Sequence, residues 1–554
     1  MITANIASHL PVMAQQQPDT HAVVVQSTGT REKSESTLYK NSYTYKELDE
    51  VSNVIANGLK IHGISKGTRT VLMVKPGLDF FALVFALFKL EAVLVAVDPG
   101  MGIKNLGKCL TEAEPEAFIG IRSAHLARLT LGWAKKTISK TVLVGNNLLL
   151  GSFITSLEQI KASAKDKHFQ DTKTVAANMA AILFTSGSTG IPKGVVYTHA
   201  NFTAQHEALK KLYDIQLGEI DLATFPLFAL FAPALGMTSV IPKMDFTRPG
   251  HVNPKTIITA VNDYKCTTMF GSPALLNRVG KWGEANASKL RTLKRVLSAG
   301  APVAPSVLKR FKSLLNDDVQ IFTPYGATES LPVSSVGSDV ILNETAIATV
   351  EGKGVCVGSP VPNLDIRIIK ITDEAISTWK DDLELPAYKI GEICVRGPQV
   401  TQSYFNRDNA TRLSKIQTDN GFYHRMGDVG YSDDNGRIWF CGRKSQRVIT
   451  ENETLFTICC EGIFNKHASV FRTALVGAKH EDKIIPVICV ELEPENKIVD
   501  KNKLTEELFE LASHHSLTKN IKNILFHSGF PVDIRHNAKI GREKLAIWAE
   551  GKLV

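Results

Sequence analysis

Residues 185 to 193 read Thr-Ser-Gly-Ser-Thr-Gly-Ile-Pro-Lys, a stretch of small residues and hydroxyls that ends on a cation. Glycines let backbone N–H groups close on an anion, hydroxyls donate further hydrogen bonds, and an ammonium adds charge. Thr185, Ser186, Gly187, Ser188, Thr189, Gly190 and Lys193 therefore form a candidate phosphate cradle. It is not a Walker loop. Pro192 stands where that loop has a glycine before its lysine, and Gly194 where it has a magnesium-binding hydroxyl. A flexible Ser/Gly linker has similar composition, but the apolar runs Ala180 to Phe184 and Val195 to Tyr197 flank this stretch and read as strands.

Later turns carry further chemistry. Pro324-Tyr325-Gly326-Ala327-Thr328-Glu329 sets an aromatic face, a hydroxyl and a carboxylate around a glycine. Such a ring can stack on a purine, and such a carboxylate can hold a magnesium ion between phosphates. Asp428, after Met426-Gly427, can accept hydrogen bonds from two ribose hydroxyls, and Arg443 can serve the same ribose or the phosphates. Each of these, taken alone, also fits an ordinary turn. Phe225, Phe228 and Phe231, at three-residue spacing in a nearly uncharged stretch, suit a core or an acyl-binding wall equally.

These residues need a large scaffold, and 554 residues provide several domain-sized units. Hydrophobic content of 44% and charged content of 21% fit an ordinary soluble globular chain. The formal charge of +9 is spread without a dense Lys/Arg run, which argues against a nucleic-acid partner. The eight cysteines include no CxxC pair and read as reduced, buried thiols. No signal-peptide pattern opens the chain, and Lys89 and Glu91 break its most apolar stretch into a helix over 79–89 and a strand over 93–97. The expectation is a cytoplasmic protein without a transmembrane segment.

Strands alternate with helices from Tyr43 to Val144 and again from Thr267 to Ser298, the rhythm of βαβ units around largely parallel sheets. A helix is expected over 45–61, and another over 201–213 with Asn201 as its N-cap. Period-two alternation over 391–404 and a hairpin at Asp433-Asp434-Asn435-Gly436 mark an antiparallel section. Beyond Gly442 a polar patch, Arg443 to Arg447, leads into a compact α+β segment.

In this order, TSGSTGIPKG, SAGAP, YGATE, GEICVRGPQVTQSYFNRDNAT, the MGD turn and GRKSQ resemble the adenylate-forming superfamily of acyl-CoA synthetases, luciferases and adenylation domains. The resemblance covers nearly the whole chain. It implies an α/β fold with some antiparallel β. A large N-terminal part, 1–443, would hold two α/β sheets plus a distorted β-barrel, and 444–554 a small mobile α+β domain. It implies ATP and Mg²⁺ as cofactors. Thr185 to Gly190 and Lys193 would hold the β- and γ-phosphates, and Gly300, Ala301, Pro302, Tyr325 and Gly326 would sandwich adenine. Thr328 would lie near the α-phosphate and the acyl carboxylate, Glu329 would bind Mg²⁺, and Asp428 and Arg443 would hold the ribose. Lys539, in Asn-Ala-Lys-Ile-Gly-Arg, would be the adenylation lysine.

Thioester-forming members carry a glycine-rich loop after the hinge. This chain has Ser445 in place of the hinge acid, no glycine from Arg447 to Glu461, and acids at Glu451 and Glu453. FPLFALFAPALGMTSVIPKMD, the GRKSQRV hinge and PVDIRHNAKIGREKLAIWA look like the β-lactone synthetases of bacterial long-chain olefin biosynthesis. That branch implies activation of a 2-alkyl-3-hydroxy fatty acid to an acyl-adenylate. Attack by the acid's own 3-hydroxyl would then give a β-lactone and AMP, in assembly with other olefin-biosynthesis enzymes. The alternative is a long-chain fatty-acyl-CoA synthetase or fatty-acyl-AMP ligase.

Overall fold

The computed structural model describes residues 4–27, 34–145, 154–164, 166–169, 174–185, 192–225, 231–493, 500–532 and 539–553. Two large sheets share a helical layer. The first runs parallel through strands Thr155–Ser156, Lys140–Val144, Ala117–Ile121, Arg69–Met73, Val93–Ala96 and Met179–Phe184, and closes with the antiparallel Gly194–Thr198. The second has fourteen strands. Its parallel part includes Thr238–Ile241, Ile220–Leu222, Thr268–Phe270, Arg295–Leu297 and the start of Gln320–Ala327. From there it continues antiparallel through Ser330–Gly337 to Asp365–Ile369. Among the described residues this path is open, so the antiparallel section curls off the parallel sheet without closing as a barrel.

Local sequence explains the helices between the sheets. Thr44 caps helix Tyr45–Ile61 in a capping box with Glu47, and the buried face of that helix meets helix Leu78–Lys89, apolar from Phe80 to Phe88 and tied to it by Lys89 on Asp49, Ser52 and Asn53. The helix expected to start at Asn201 begins at His199. Thr198 is its N-cap; the Thr198 hydroxyl accepts from the Asn201 N–H while the Asn201 side chain accepts from the Thr198 N–H, so Asn201 closes the box from inside the first turn.

After Lys444–Gln446, strands Val470–His480, Lys483–Leu492 and Asn523–Phe526 make a three-stranded sheet. Helices Thr457–Phe464, Lys501–Ser513 and Arg542–Glu550 cover it, over two cores of residues from 448 onward, while Cys459 of the first helix packs with Cys356, Val429, Tyr431, Trp439 and Cys441. All eight cysteines are buried thiols. Among the described residues no helix is long and apolar enough to cross a membrane.

Candidate functional site

Strands Arg295–Leu297 and Gln320–Ala327 run side by side and parallel, with Ser298 N–H donating to Phe322 O at 2.9 Å. The segment Gly300-Ala301-Pro302 therefore leaves the sheet next to Tyr325 and Gly326, at the carboxyl ends of the strands, where open α/β sheets place ligands. Gly300 has φ +97°, a conformation that favours glycine. At Gly326 a Cβ would lie 2.6 Å from Ser330 O, so only glycine lets the two strands of this hairpin close. Ala327 pairs with Ser330, which leaves Thr328 and Glu329 as the two-residue tip.

The tip is fixed from several directions. Tyr197 Oη donates to Thr328 O at 2.5 Å, and Thr401 donates its N–H (2.9 Å) and its hydroxyl (3.1 Å) to Glu329 O. Lys415 Nζ in turn donates to Thr401 O. Burial pulls the Lys415 ammonium down to about 7, against the opposing pull of Glu329. On the carboxylate itself, Tyr404 Oη donates to Glu329 Oε1 at 2.6 Å. Burial, then the Glu329 charge, raises the Tyr404 phenol far above its ordinary range, so it stays a donor.

Tyr404 also joins the tip to the hydroxyl-rich loop. Lys193 Nζ lies 4.5 Å over its ring, a cation–π contact. Thr185 N–H donates to Lys193 O (3.0 Å) and Lys193 N–H to Thr185 Oγ1 (3.2 Å), pinning the base of the loop. Burial lowers the Lys193 ammonium and Glu329 opposes that shift. Ser186, Gly187, Ser188, Thr189 and Gly190 lie outside the described residues.

Across the crevice, Asp428 and Arg443 are register partners on adjacent antiparallel strands. The Asp428 carboxylate is 3% exposed and accepts from Arg443 Nη1 and from Tyr325 Oη, each at 2.6 Å. The Asp428 charge raises the Arg443 guanidinium further, and burial raises the Tyr325 phenol. Arg443 Nε is buried without a partner, a donor still to be satisfied.

The structure thus brings together Thr185, Lys193, Gly300, Ala301, Pro302, Tyr325, Gly326, Thr328, Glu329, Asp428 and Arg443. Lys539 is carried separately. It precedes Ile540, which bridges Val532, and the turn into helix Arg542–Glu550, whose Arg542 binds Glu461 and Gln446. The acids of the altered hinge loop are engaged nearby: Glu451 pairs with Lys483 at 3.2 Å, and Glu453 accepts from Asn520 at 3.0 Å.

Sequence reasoning did not single out Tyr197, Tyr404, Thr401 or Lys415. Tyr404 and Thr401 sit inside the quoted stretch ending SYFNRDNAT, but what they hold is 75 and 72 residues away. Phe225 and Phe231 do line an apolar cavity, with Phe270, Leu297 and Leu331; Phe228 lies outside the described residues.

Comparisons with known proteins give the family and the fold. Residues 11–405 match the model of the AMP-binding enzyme family. The chain belongs to that family. As a member it is an AMP-forming ligase of the adenylate-forming fold. It is 47% identical over 550 residues to an olefin beta-lactone synthetase of Xanthomonas campestris pv. campestris, covering 98% of this chain and 97% of the relative. It is 46% identical to one of Stenotrophomonas maltophilia, covering 99% and 98%. The chain is thus similar to these two olefin beta-lactone synthetases over nearly its whole length. Among solved structures, ATP-bound MatB from Rhodopseudomonas palustris superposes with a TM-score of 0.79 at 18% identity over all of both chains. The o-succinylbenzoate coenzyme A synthetase of Bacillus subtilis, in complex with ATP and magnesium, gives 0.75 at 20% identity, covering 97% and 98%. At such identity these two speak for the fold.

Proposed function

We propose that the protein activates a 2-alkyl-3-hydroxy fatty acid with ATP and closes it to a β-lactone. The observation that carries this reading is the 46–47% identity to two olefin beta-lactone synthetases over nearly their whole length. In the first step the carboxylate oxygen attacks the α-phosphorus, the bond to the bridging oxygen breaks, and pyrophosphate leaves. In the second, the 3-hydroxyl oxygen attacks the carbonyl carbon, AMP leaves, and the hydroxyl proton passes to solvent. A tethered nucleophile replaces a thiol-binding site.

The residues have matching roles. Asp428, backed by Arg443 and Tyr325, would accept the ribose hydroxyls, while Gly300 to Pro302 and Gly326 would flank adenine. Thr185 to Gly190 and Lys193 would hold the β- and γ-phosphates. Thr328, at the hairpin tip, would face the α-phosphate and the acyl carboxylate. Glu329 fits Mg²⁺: it is a hard oxygen donor, and among the described residues no cluster of three or more His, Cys, Asp or Glu competes as a metal site. An ion held by one carboxylate would take its remaining ligands from phosphates and water, and would neutralise charge built up on the transferring oxygens. Lys539, brought by movement of the C-terminal unit across a boundary at 443/444, would stabilise the same charge. The engaged acids Glu451 and Glu453 support a loop that is not shaped for CoA. Action in the cytoplasm beside other olefin-biosynthesis enzymes completes the reading.

The test compares a 3-hydroxy acid with its 3-deoxy analogue. The hydroxy acid should release AMP over many turnovers without CoA, and the analogue should stop after one equivalent of pyrophosphate. Equal multiple-turnover AMP release from both would overturn the proposal.

A further inference from the structure

The apolar cavity beside the hairpin tip has a polar far end. Its walls include Phe270, Leu297, Pro324 and Leu331, but Asp221 and Thr268 line it too. Register explains how they come together. Asp221 is paired in the sheet with Ser239 on one side and Thr268 on the other; Thr268 pairs with Arg295, and Arg295 with Gln320. Register partners point to the same face, so these five residues form one polar row across the sheet. Two residues further along that face, Phe270, Leu297 and Phe322 pair as an apolar row.

Most of the polar row is satisfied internally. Arg295 Nη2 binds Glu219 at 2.9 Å and Arg295 Nη1 binds Thr268 Oγ1 at 2.8 Å, while Gln320 binds Asp339. Two members are not. Ser239 Oγ is fully buried with no partner, and among the described residues the Asp221 carboxyl accepts no hydrogen bond. Asp221 is instead among the residues that line the cavity. An unpartnered carboxyl in an apolar wall is costly to keep unless it has a use. Burial pushes it up to about 7.

Its depth suggests that use. Gln320 stands five residues before Tyr325 on the strand Gln320–Ala327. At the rise of a parallel strand the polar row lies about 16 Å along the strands from the nucleotide side. That is too far to touch a 3-hydroxyl at the reacting end, and suited to the tail of a long chain.

We propose that Asp221, flanked by Thr268 and Ser239, is the end wall that limits acyl-chain length. A chain that stops short leaves the carboxyl, already partly desolvated by burial, whatever hydration it retains. One that reaches it must strip that hydration and return only apolar contact. This inference rests on the cavity being the acyl site of the proposed reaction.

The experiment measures kcat/KM for pyrophosphate release over a series of 2-alkyl-3-hydroxy acids that differ only in chain length. It uses the full-length wild type, Asp221→Val, Asp221→Ala as a smaller apolar alternative, and Asp221→Asn. For the wild type, kcat/KM should drop beyond a limiting length. Either apolar variant should move that limit outward by about two methylenes and raise the ratio of over-length to best acid about tenfold. Asp221→Asn, polar and isosteric, should keep the wild-type limit. A profile unchanged in the apolar variants, or scaled equally at every length, overturns the proposal. Mass spectrometry of the same reactions separates the two readings: pyrophosphate release with a shifted limit but no lactone would reject the β-lactone reaction and keep the end wall.

Discussion

Removing the Asp428 carboxylate tests the ribose side of the site most sharply. Asp428 accepts two hydrogen bonds at 2.6 Å, from Tyr325 Oη and Arg443 Nη1. A hydrogen bond to a charged group contributes about 1.5–3 kcal/mol. Stranding a fully buried partner charge costs about 3–5 kcal/mol. The Arg443 side chain is 36% exposed, so water recovers part of that loss and roughly 2–3 kcal/mol is the reasonable range. That figure is a cost to folding stability; if the carboxylate also binds the ribose, a lost hydrogen bond to the charged acceptor of about 1.5–3 kcal/mol should make Asp428→Ala weaken ATP binding by about 10- to 150-fold, at 1.36 kcal/mol per tenfold. Asp428→Asn keeps an acceptor and should lose less. Calorimetric titration with ATP measures both, and melting curves check folding. A cycle with Tyr325→Phe should give a coupling of about 1 kcal/mol, because the two groups share a bond. If Asp428→Ala bound ATP within threefold of wild type while melting normally, Asp428 would not hold the nucleotide and the role assigned here would be wrong.

Other predictions follow from the same geometry. Lys539→Ala should abolish pyrophosphate release while ATP affinity stays within a few-fold; wild-type turnover in a pyrophosphate assay would reject its role. Tyr404→Phe keeps the ring under Lys193 but deletes the donor to Glu329, so the Mg²⁺ concentration for half-maximal activity should rise about three- to tenfold. An unchanged Mg²⁺ titration would rule out that positioning role. Burial lowers His199 and His206 to about 4, below the ordinary 6.5. Their stabilising contribution is complete above pH 6.5 and is lost as pH falls through 6.5 toward 4, on the order of 2 kcal/mol each by pH 5. Asp221 has the opposite sign: its raised value penalises the fold above about pH 7 and the penalty vanishes near 3.8. Asp221→Asn should therefore melt higher than wild type at pH 8 and equally at pH 4. Equal melting temperatures at both pH values would show that the carboxyl is not desolvated.

Much of this architecture is legible in the sequence where the signal is local. Helix Tyr45–Ile61 has its capping box and one apolar face within seventeen residues, and the hairpin at Asp433 to Gly436 is set by its turn residues. The ordered motifs identify the nucleotide crevice because each is a contiguous run. What escapes the sequence depends on register or on distant partners. Tyr404 meets Glu329 only because Ser403 and Phe405 pair with the strand after the hydroxyl-rich loop. The polar row through Asp221 exists only when five strands align in parallel. Asn201 looked like a cap because caps and the third helical position favour the same polar residues, and only the reciprocal bonds with Thr198 separate them.

The central claim is that the activated acid is captured by its own hydroxyl. Mass spectrometry of the product formed from ATP, Mg²⁺ and a long-chain 2-alkyl-3-hydroxy acid, with and without CoA, tests it most directly. The account predicts the acid minus one water, in equal yield in both reactions. A CoA thioester in place of that product would contradict it.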